Sequence, residues 1–271
     1  MSTPLVSVLM VVRQNSLFLH ECLHSLEAQT FDDWELVAVL DRDSGNNQYL
    51  IESVLAGRKI TILHDDFTRS GLSRMLNSGL SKCLGKYVAR MDDDDVCYPD
   101  RLLSQTFFMK DDPSVAVCFG AADLISAGGM LTGEIRRSVD PIHFEKKLIR
   151  KNVIVNSSSM FVREIILKVG GYVENVNPIE DYVLWLRLLP YSKFHYLDEK
   201  IIKYRIHGSG ISRTRLSPRI LRFLYHERKL TATNLGYKYC YAEYCHLMWW
   251  FEYRLGRYIH AFRSFRMRNS A

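Results

Sequence analysis

The chain alternates short apolar runs with segments of helical periodicity. Val6-Ser7-Val8-Leu9-Met10-Val11-Val12 is nearly all apolar and rich in β-branched residues, the composition of a strand buried on both faces of a parallel sheet. Leu19, Cys22, Leu23 and Leu26 follow at i, i+3, i+4 and i+7, which predicts a helix packed back on that strand. The pattern then predicts a second strand from Leu36 to Leu40, a third from Lys59 to Leu63 and a fourth from Lys86 to Met91. Between the third and fourth, Ser70 to Leu84 reads as a helix with Leu72, Met75, Leu76 and Leu80 on one face. Strands alternating with helices imply a parallel sheet, and such sheets bind ligands beyond the carboxyl ends of their strands. Asp41 and Asp92 both stand at such ends.

After Pro99 the regularity weakens. The sequence predicts a helix to Met109, a strand at Val115 to Phe119, a Gly128-Gly129 turn and a helix near Phe144 to Lys151. A strand at Ser157 to Val162, a break at Gly170-Gly171, a short helix from Tyr182 to Leu189 and two short strands within 193–206 complete this part. From Ser217 onward two amphipathic helices separated near Gly236 are expected. The fold class is therefore α/β with a mixed, mainly parallel central sheet and a C-terminal helical extension. The division expected is 1–212 and 213–271.

Charge sharpens that division. The formal net charge is +6, but from Arg213 onward 12 Lys and Arg face 3 Asp and Glu, leaving −3 for residues 1–212. A basic tail suits nucleic acid, an anionic membrane surface or phosphorylated ligands equally. In it Trp249, Trp250, Phe251, Tyr253 and Tyr258 lie among Arg254, Arg257, Arg263, Arg266 and Arg268, a mixture suited to a membrane interface or to packing on protein. Nothing in the core supports nucleic acid. The longest early apolar run, Leu5 to Val12, is far short of the ~20 residues that span a bilayer, so membrane contact is expected to be peripheral. The six cysteines form no C-x-x-C pair and the N-terminus lacks a signal-peptide pattern, so they are expected as reduced thiols.

The chemistry concentrates at Asp92-Asp93-Asp94-Asp95, four carboxylates directly after a buried strand. Mutual repulsion there calls for a bound cation. Mg²⁺ or Mn²⁺, which commonly bridges one or two carboxylates to substrate phosphates, is the natural partner. The bland alternative is capping of the following helix, which would account for Asp95 and Asp100. An EF-hand is disfavoured because Val96 and Cys97 occupy positions needing Asp or Asn and Gly. Asp41 read alone is a turn residue, yet at a strand end it can accept hydrogen bonds from a base or ribose. Glu180-Asp181 either cap the helix that follows or supply a general base. His20 and His24 share a helical face, and Cys240, Cys245 and His246 lie close in sequence. Without zinc-like spacing, ordinary packing or solvation is expected of both sets.

Taken together these residues resemble the family 2 inverting glycosyltransferases of the GT-A fold, a Rossmann-like nucleotide-sugar-binding domain, and especially bacterial enzymes of surface-polysaccharide synthesis. The resemblance spans residues 5 to about 212. It rests on Val6-Ser7-Val8-Leu9-Met10 with Gln29-Thr30-Phe31, and on Gly71-Leu72-Ser73 through Asn77-Ser78-Gly79-Leu80. Gly85 to Asp95 with Pro99-Asp100-Arg101-Leu102, and Gly170-Gly171-Tyr172, Glu180-Asp181-Tyr182 and Tyr204-Arg205-Ile206-His207 complete it. The resemblance implies that Asp92 and Asp94 form a D-x-D motif, with Asp94 the direct ligand of Mn²⁺ or Mg²⁺ and His207 near the metal or diphosphate. It places Asp41, Val12, Arg13, Asp92 and Asp93 on the nucleotide, with UDP the base carrier the family points to. Asp181 would be the general base, supported by Glu180. Val12-Arg13-Gln14-Asn15 replaces the usual Pro-Thr-Tyr-Asn, Asp41-Arg42-Asp43-Ser44 replaces Asp-Asp-Gly-Ser, and Asn156-Ser157-Ser158 has Asn where relatives often show His.

The expected function is hexosyl transfer from a nucleotide sugar to a saccharide acceptor, lipid-linked in one version, in O-antigen (lipopolysaccharide) or capsule synthesis. The location expected is the cytoplasm, with the tail able to reach the inner face of the cell membrane. A non-catalytic sugar-nucleotide-binding subunit is the main rival. A nucleotidyltransferase is a second, disfavoured by the lack of a Gly-rich phosphate loop with Arg and Lys near the first strand.

Overall fold

The computed structural model describes residues 3–14, 16–42, 46–136, 141–208, 216–238 and 240–250. Two compact units emerge, Met1–Val139 with Ile154–Arg215, and Asp140–Val153 with Leu216–Ala271.

In the first unit the described strands form one nine-stranded sheet. Strands β1 (Val6–Val12), β2 (Trp34–Asp41), β3 (Lys59–Asp65) and β4 (Tyr87–Asp92) pair in parallel in the order β3-β2-β1-β4. Helices α1 (Leu19–Glu27), α2 (Asn47–Val54) and α3 (Phe67–Lys82) connect them. Beyond β4 the sheet turns mixed. β8 (Met160–Val162) is antiparallel to β4 and to β6 (Val115–Ser126), and β9 (Lys193–Ile206) runs parallel to β6. β5 (Val96–Cys97) and β7 (Leu131–Ile135) add antiparallel pairs to β9 and β6. Helices α4 (Arg101–Asp111), α6 (Arg163–Lys168) and α7 (Glu180–Leu188) complete the unit. Chain order moves outward from β1 through β2 to β3, then returns to β4 on the other side of β1. In open α/β sheets ligands bind in the crevice at such a reversal, which here lies beyond the carboxyl ends of β1 and β4.

Every residue of β1 is buried, as the near-continuous apolar run requires. One polar device sits under this core. The fully buried Glu35 carboxylate accepts from Ser7 Oγ (2.7 Å) and from Leu84 N–H (2.8 Å), while Ser7 Oγ accepts from Gly85 N–H (2.8 Å). Lys59 Nζ lies 3.5 Å from the other Glu35 oxygen. The beginnings of β1, β2 and β4 are thereby fixed in register.

In the second unit, α5 (Pro141–Arg150) and α8 (Pro218–Asn234) pack with a helical stretch at 240–250. Arg228 is fully buried among them. It donates to Arg150 O (2.8 Å), lies 3.2 Å from His246 Nδ1 and stacks on Trp249 at 4.5 Å. Burial and the adjacent guanidinium push the His246 pKa down to about 4, so its neutral ring accepts the hydrogen bond. His246 and the buried Cys245 are thus packing residues of the unit, and no described cysteine is in a disulfide. No described helix is long and apolar enough to cross a membrane.

The beginning of β4 admits no side chain at Gly85. A Cβ there would lie 2.6 Å from Ser7 N, 2.8 Å from Val6 C and 2.9 Å from Tyr87 O, all backbone atoms that cannot rotate away. Gly85→Ala is expected to lose about 1–3 kcal/mol of stability through overpacking. Gly128→Ala, whose nearest neighbour would be Ser126 Oγ at 3.9 Å, should stay within about 0.5 kcal/mol of wild type. Urea unfolding of the two variants checks both values.

Candidate active site

The four consecutive acids lie at the carboxyl end of β4 and in the turn to β5, and each side chain has a different surrounding. Asp92 is paired with Arg90 at 2.5 Å and is hydrogen-bonded by Asn156. Asp93 accepts from Arg13 N–H (3.1 Å) at the end of β1 and from the Ser16 side chain. Asp94 Oδ2 lies 2.7 Å from His207 Nε2. Asp95 is fully buried and accepts from Arg205 N–H (2.8 Å) and from Ser157 Oγ.

Burial is the largest influence on Asp92, Asp93 and Asp95, and it raises all three pKa values. Neighbouring carboxylates push the same way, and Asp93 reaches about 6. Two buried arginines oppose the accumulated charge. Arg90, held by Leu9 O (2.9 Å) and Met91 O, reaches Asp92 from beneath. Arg205 donates through Nε to Asp94 O (2.8 Å) and through Nη1 to Ser126 O (3.3 Å) and Ala127 O (3.2 Å), while Nη2 pairs with Glu21 of α1. Its guanidinium also lies 4.4 Å from the centroid of Phe18, whose ring meets His207 edge-on at 5.1 Å.

A third arginine braces the strand itself. Arg101, fully buried, donates to Arg90 O (2.7 Å) and Ser159 O (3.3 Å) and contacts Met91 Sδ and Cys97 Sγ. Its neighbour Gln105 donates to Cys118 O (2.9 Å) and Ser158 O (3.0 Å), and Gln29 links Ser25 O and Tyr98 O to Leu102 N–H.

The second pair of acids opens α7. Glu180 is buried, while Asp181 is half-buried and accepts from Tyr182 N–H at 2.6 Å. Burial first, and Asp181 next, raise the Glu180 pKa to about 8. Arg90 and Asp92 are among the charges that act on Glu180, so the two acidic groups lie within electrostatic range of each other. The loop leading into α7 is tied to α3. Asn77 Nδ2 donates to Tyr172 O (2.8 Å) and its Oδ1 accepts from Tyr172 N–H (2.8 Å). Gly171 has φ 70°, and a Cβ there would lie 2.6 Å from Asn77 Oδ1, so glycine is required. Oriented by its hydrogen bonds, the Asn177 amide donates to Glu180 Oε2 (3.1 Å) and accepts from Leu72 N–H (3.2 Å).

The remaining sequence candidates flank the crevice. Asp41 ends β2, accepts from Arg42 N–H (2.9 Å) and faces Asp65 across the β2–β3 register. Val12 has its side chain in the core, so it offers only backbone to a ligand, and Asn47 Nδ2 donates to Arg13 O (3.2 Å). Asp94 and His207 are brought into direct contact, whereas the Asp92 carboxylate is directed to Arg90. Among the described residues no three His, Cys, Asp or Glu side chains form a ready-made metal cage. Asp94 and His207, 26% and 14% exposed, nevertheless present oxygen and nitrogen donors at the mouth of a strongly anionic turn. That donor set fits a cation whose other positions are filled by water and phosphate. Asp95 is neither donor nor helix cap. It staples the acidic turn to β9 and to Ser157.

Arg90, Arg205 and Asn156 stand in the sequence motifs but were given no role at the acidic turn. Their signal was present, since Arg90 interrupts a buried strand and Arg205 precedes His207.

Residues 7–168 match the family model described as glycosyl transferase family 2. The O-antigen biosynthesis glycosyltransferase WbnJ of Escherichia coli is 30% identical, over 79% of this chain and 84% of its own. The amylovoran biosynthesis glycosyltransferase AmsE of Erwinia amylovora is 31% identical, over 63% of this chain and 64% of its own. S. aureus TarS 1–349 in complex with UDP-GlcNAc superimposes with a TM-score of 0.70 at 16% identity, covering 90% of this chain and 71% of that one. The mannosyltransferase PcManGT from Pyrobaculum calidifontis, in complex with GDP-Man and Mn²⁺, gives 0.59 at 14% identity, covering 100% and 84%.

Glu180 supplies a pH-dependent test of the site. Its pKa is raised on folding from 4.5 to about 8. The folded state therefore holds the proton more tightly, and this stabilising contribution is full below pH 4.5, then declines until it is lost above about 8. Glu180→Gln keeps the neutral form at every pH. Its melting temperature should match wild type near pH 4.5 and exceed it at pH 8.5 by at least about 2–4 °C, the shift that 1 kcal/mol produces in a domain of this size. Thermal unfolding across that range, followed by circular dichroism, measures the difference.

Proposed function

Because the chain belongs to glycosyl transferase family 2 and has its GT-A fold, we propose that it is an inverting, metal-dependent hexosyltransferase of surface-polysaccharide synthesis. The observation that carries this reading is the acidic turn beyond β4, with Asp94 and His207 in contact at its mouth and the Glu180-Asp181 pair within electrostatic range of Asp92 and Arg90. WbnJ and AmsE, named for O-antigen and amylovoran biosynthesis, support the polysaccharide assignment. UDP is the proposed nucleotide, since the TarS complex holds UDP-GlcNAc, although PcManGT holds GDP-Man.

The donor would lie in the crevice between the ends of β1, β2 and β4. Asp41 would accept from the base, the backbone of Val12 and Arg13 would face the nucleotide, and Asp92 and Asp93 would line its diphosphate side. Asp94, with His207 and the Asp92 edge of the turn, would hold Mn²⁺ or Mg²⁺. When bound, that ion neutralises charge on the departing diphosphate.

Asp181 would take the proton of an incoming acceptor hydroxyl. The hydroxyl oxygen bonds to the anomeric carbon, the bond from that carbon to the diphosphate oxygen breaks with its electron pair, and the proton goes to Asp181. Attack and departure on opposite faces invert the centre. Glu180, neutral at pH 7, adds no second negative charge beside Asp181 and so leaves its basicity to one carboxylate. Tyr172 Oη and Arg90 Nε, both buried, have no hydrogen-bond partner among the described residues.

The tail reading is peripheral contact with an anionic membrane, which would bring the enzyme to a lipid-linked acceptor. It is supported by charge and exposure within the second unit. Residues 140–153 and 216–271 carry 14 Lys and Arg against 5 Asp and Glu, and Tyr244, Leu247 and Trp250 are exposed on the 240–250 helix.

Assays of nucleotide-sugar cleavage, with water as the acceptor, test the reaction class. Mn²⁺-supported release of nucleoside diphosphate from one nucleotide sugar is expected, with no pyrophosphate. Asp181→Asn should lower kcat by about 10²–10⁴-fold while leaving the donor's Kd unchanged. Release of pyrophosphate, or an Asp181→Asn rate equal to wild type, would overturn the assignment.

A further inference from the structure

Helix α1 carries a feature that the glycosyl-transfer site does not use. Its buried side, Leu19, Cys22, Leu23, Ser25 and Leu26, anchors it in the core. The opposite side presents His20 and His24, exposed and one turn apart. Their Nε2 atoms approach to 3.2 Å, with ring centroids 4.4 Å apart and ring planes at 70°.

That separation is the spacing of two imidazoles on one ion. With a metal–nitrogen bond of about 2.0–2.1 Å, two ligands lie about 2.9 Å apart at a right angle and about 3.4 Å apart at the tetrahedral angle. The observed 3.2 Å lies between these values, and without an ion it is a hydrogen bond between the two rings. Glu27 stands behind His24, its Oε2 3.9 Å from Nδ1. A carboxylate on that side favours the tautomer with the proton on Nδ1, which leaves the Nε2 lone pair directed toward His20. The helical spacing holds both rings on one face, and the anchored apolar stripe keeps the helix from turning away.

We propose that His20 and His24 form a two-point chelate for a borderline transition-metal ion such as Zn²⁺, Ni²⁺ or Cu²⁺, with water in the remaining positions. Imidazole nitrogen selects these ions over Mg²⁺, which prefers an all-oxygen shell. The site is therefore distinct from the acidic turn, where carboxylate oxygens accompany the single imidazole of His207. It also lies on the helix that supplies Glu21 to Arg205, next to the machinery that positions that turn.

The test is isothermal titration of the untagged full chain with Zn²⁺ in excess Mg²⁺, which keeps the oxygen-donor site filled. Wild type should bind one Zn²⁺, Asp94→Ala should bind it with unchanged affinity, and His20→Gln and His24→Gln should each weaken it by more than about tenfold. Both histidines are exposed, so these variants should keep the wild-type melting temperature. Electron paramagnetic resonance with one equivalent of Cu²⁺ should show coupling to two nitrogens, reduced to one in each variant. Absence of Zn²⁺ binding in wild type, or equal affinity in both histidine variants, would overturn the proposal. Loss of binding in Asp94→Ala alone would also overturn it and place the ion at the acidic turn.

Discussion

Four carboxylates at the end of a fully buried strand repel one another and lose hydration, a cost of several kcal/mol for each charge that is actually buried. The protein offsets that cost with two arginines, and the Asp92 and Asp94 side chains stay partly exposed to solvent. Arg90 faces Asp92 from within the sheet, and Arg205 grips the turn from β9 through the Asp94 carbonyl and its own N–H to Asp95. Asp95 is the carboxylate that commits to structure, because both its oxygens are satisfied by protein donors. Asp94 is thereby left at the mouth with His207, as the member of the run with chemistry to offer.

The rest of the first unit follows from holding that turn still. β9 must reach back beside β6 for Arg205 to arrive, which explains its length of 14 residues. α1 must sit close enough for Glu21 to meet Arg205 and for Cys22 Sγ to contact Asp92 O (3.5 Å). On the far side, Asn77, Gly171 and Asn177 fix the loop that presents Glu180 and Asp181. Arg90 thereby acts on both acidic groups, pairing with Asp92 and opposing the charge of Glu180.

The parallel half of the fold was legible because its strands are continuous apolar runs and its helices show regular spacing. β1 to β4 and α1 and α3 fall where the pattern predicts them. The mixed half was less legible for physical reasons. β5 is only two residues long, and it exists because the acidic turn pairs with β9. Ser157 and Ser158 read as the start of a strand, but Asn156–Ser158 is a 3₁₀ turn before β8 begins, with Ser158 and Ser159 donating back to Val155 O and Asn156 O. Residues 193–206 read as two strands because charged residues interrupt the pattern, yet they form one strand with register irregularities against β6. Of the site, the acids announced themselves by sequence alone. Arg90 and Arg205 did not, since a buried arginine looks like an ordinary surface residue until its partners are known. The approach of His20 to His24 likewise depends on rotamers that spacing alone leaves open.

The central claim is that the Asp92–Asp95 turn binds a nucleotide through a divalent cation held by Asp94. It is tested most directly by thermal unfolding with a panel of nucleoside diphosphates, with and without Mn²⁺, in wild type and Asp94→Ala. At a hundredfold excess over Kd a single nucleotide should stabilise wild type by about 2.7 kcal/mol, only when Mn²⁺ is present, and should leave the melting temperature of Asp94→Ala unchanged. A nucleotide shift that ignores Mn²⁺ or persists undiminished in Asp94→Ala would contradict the account.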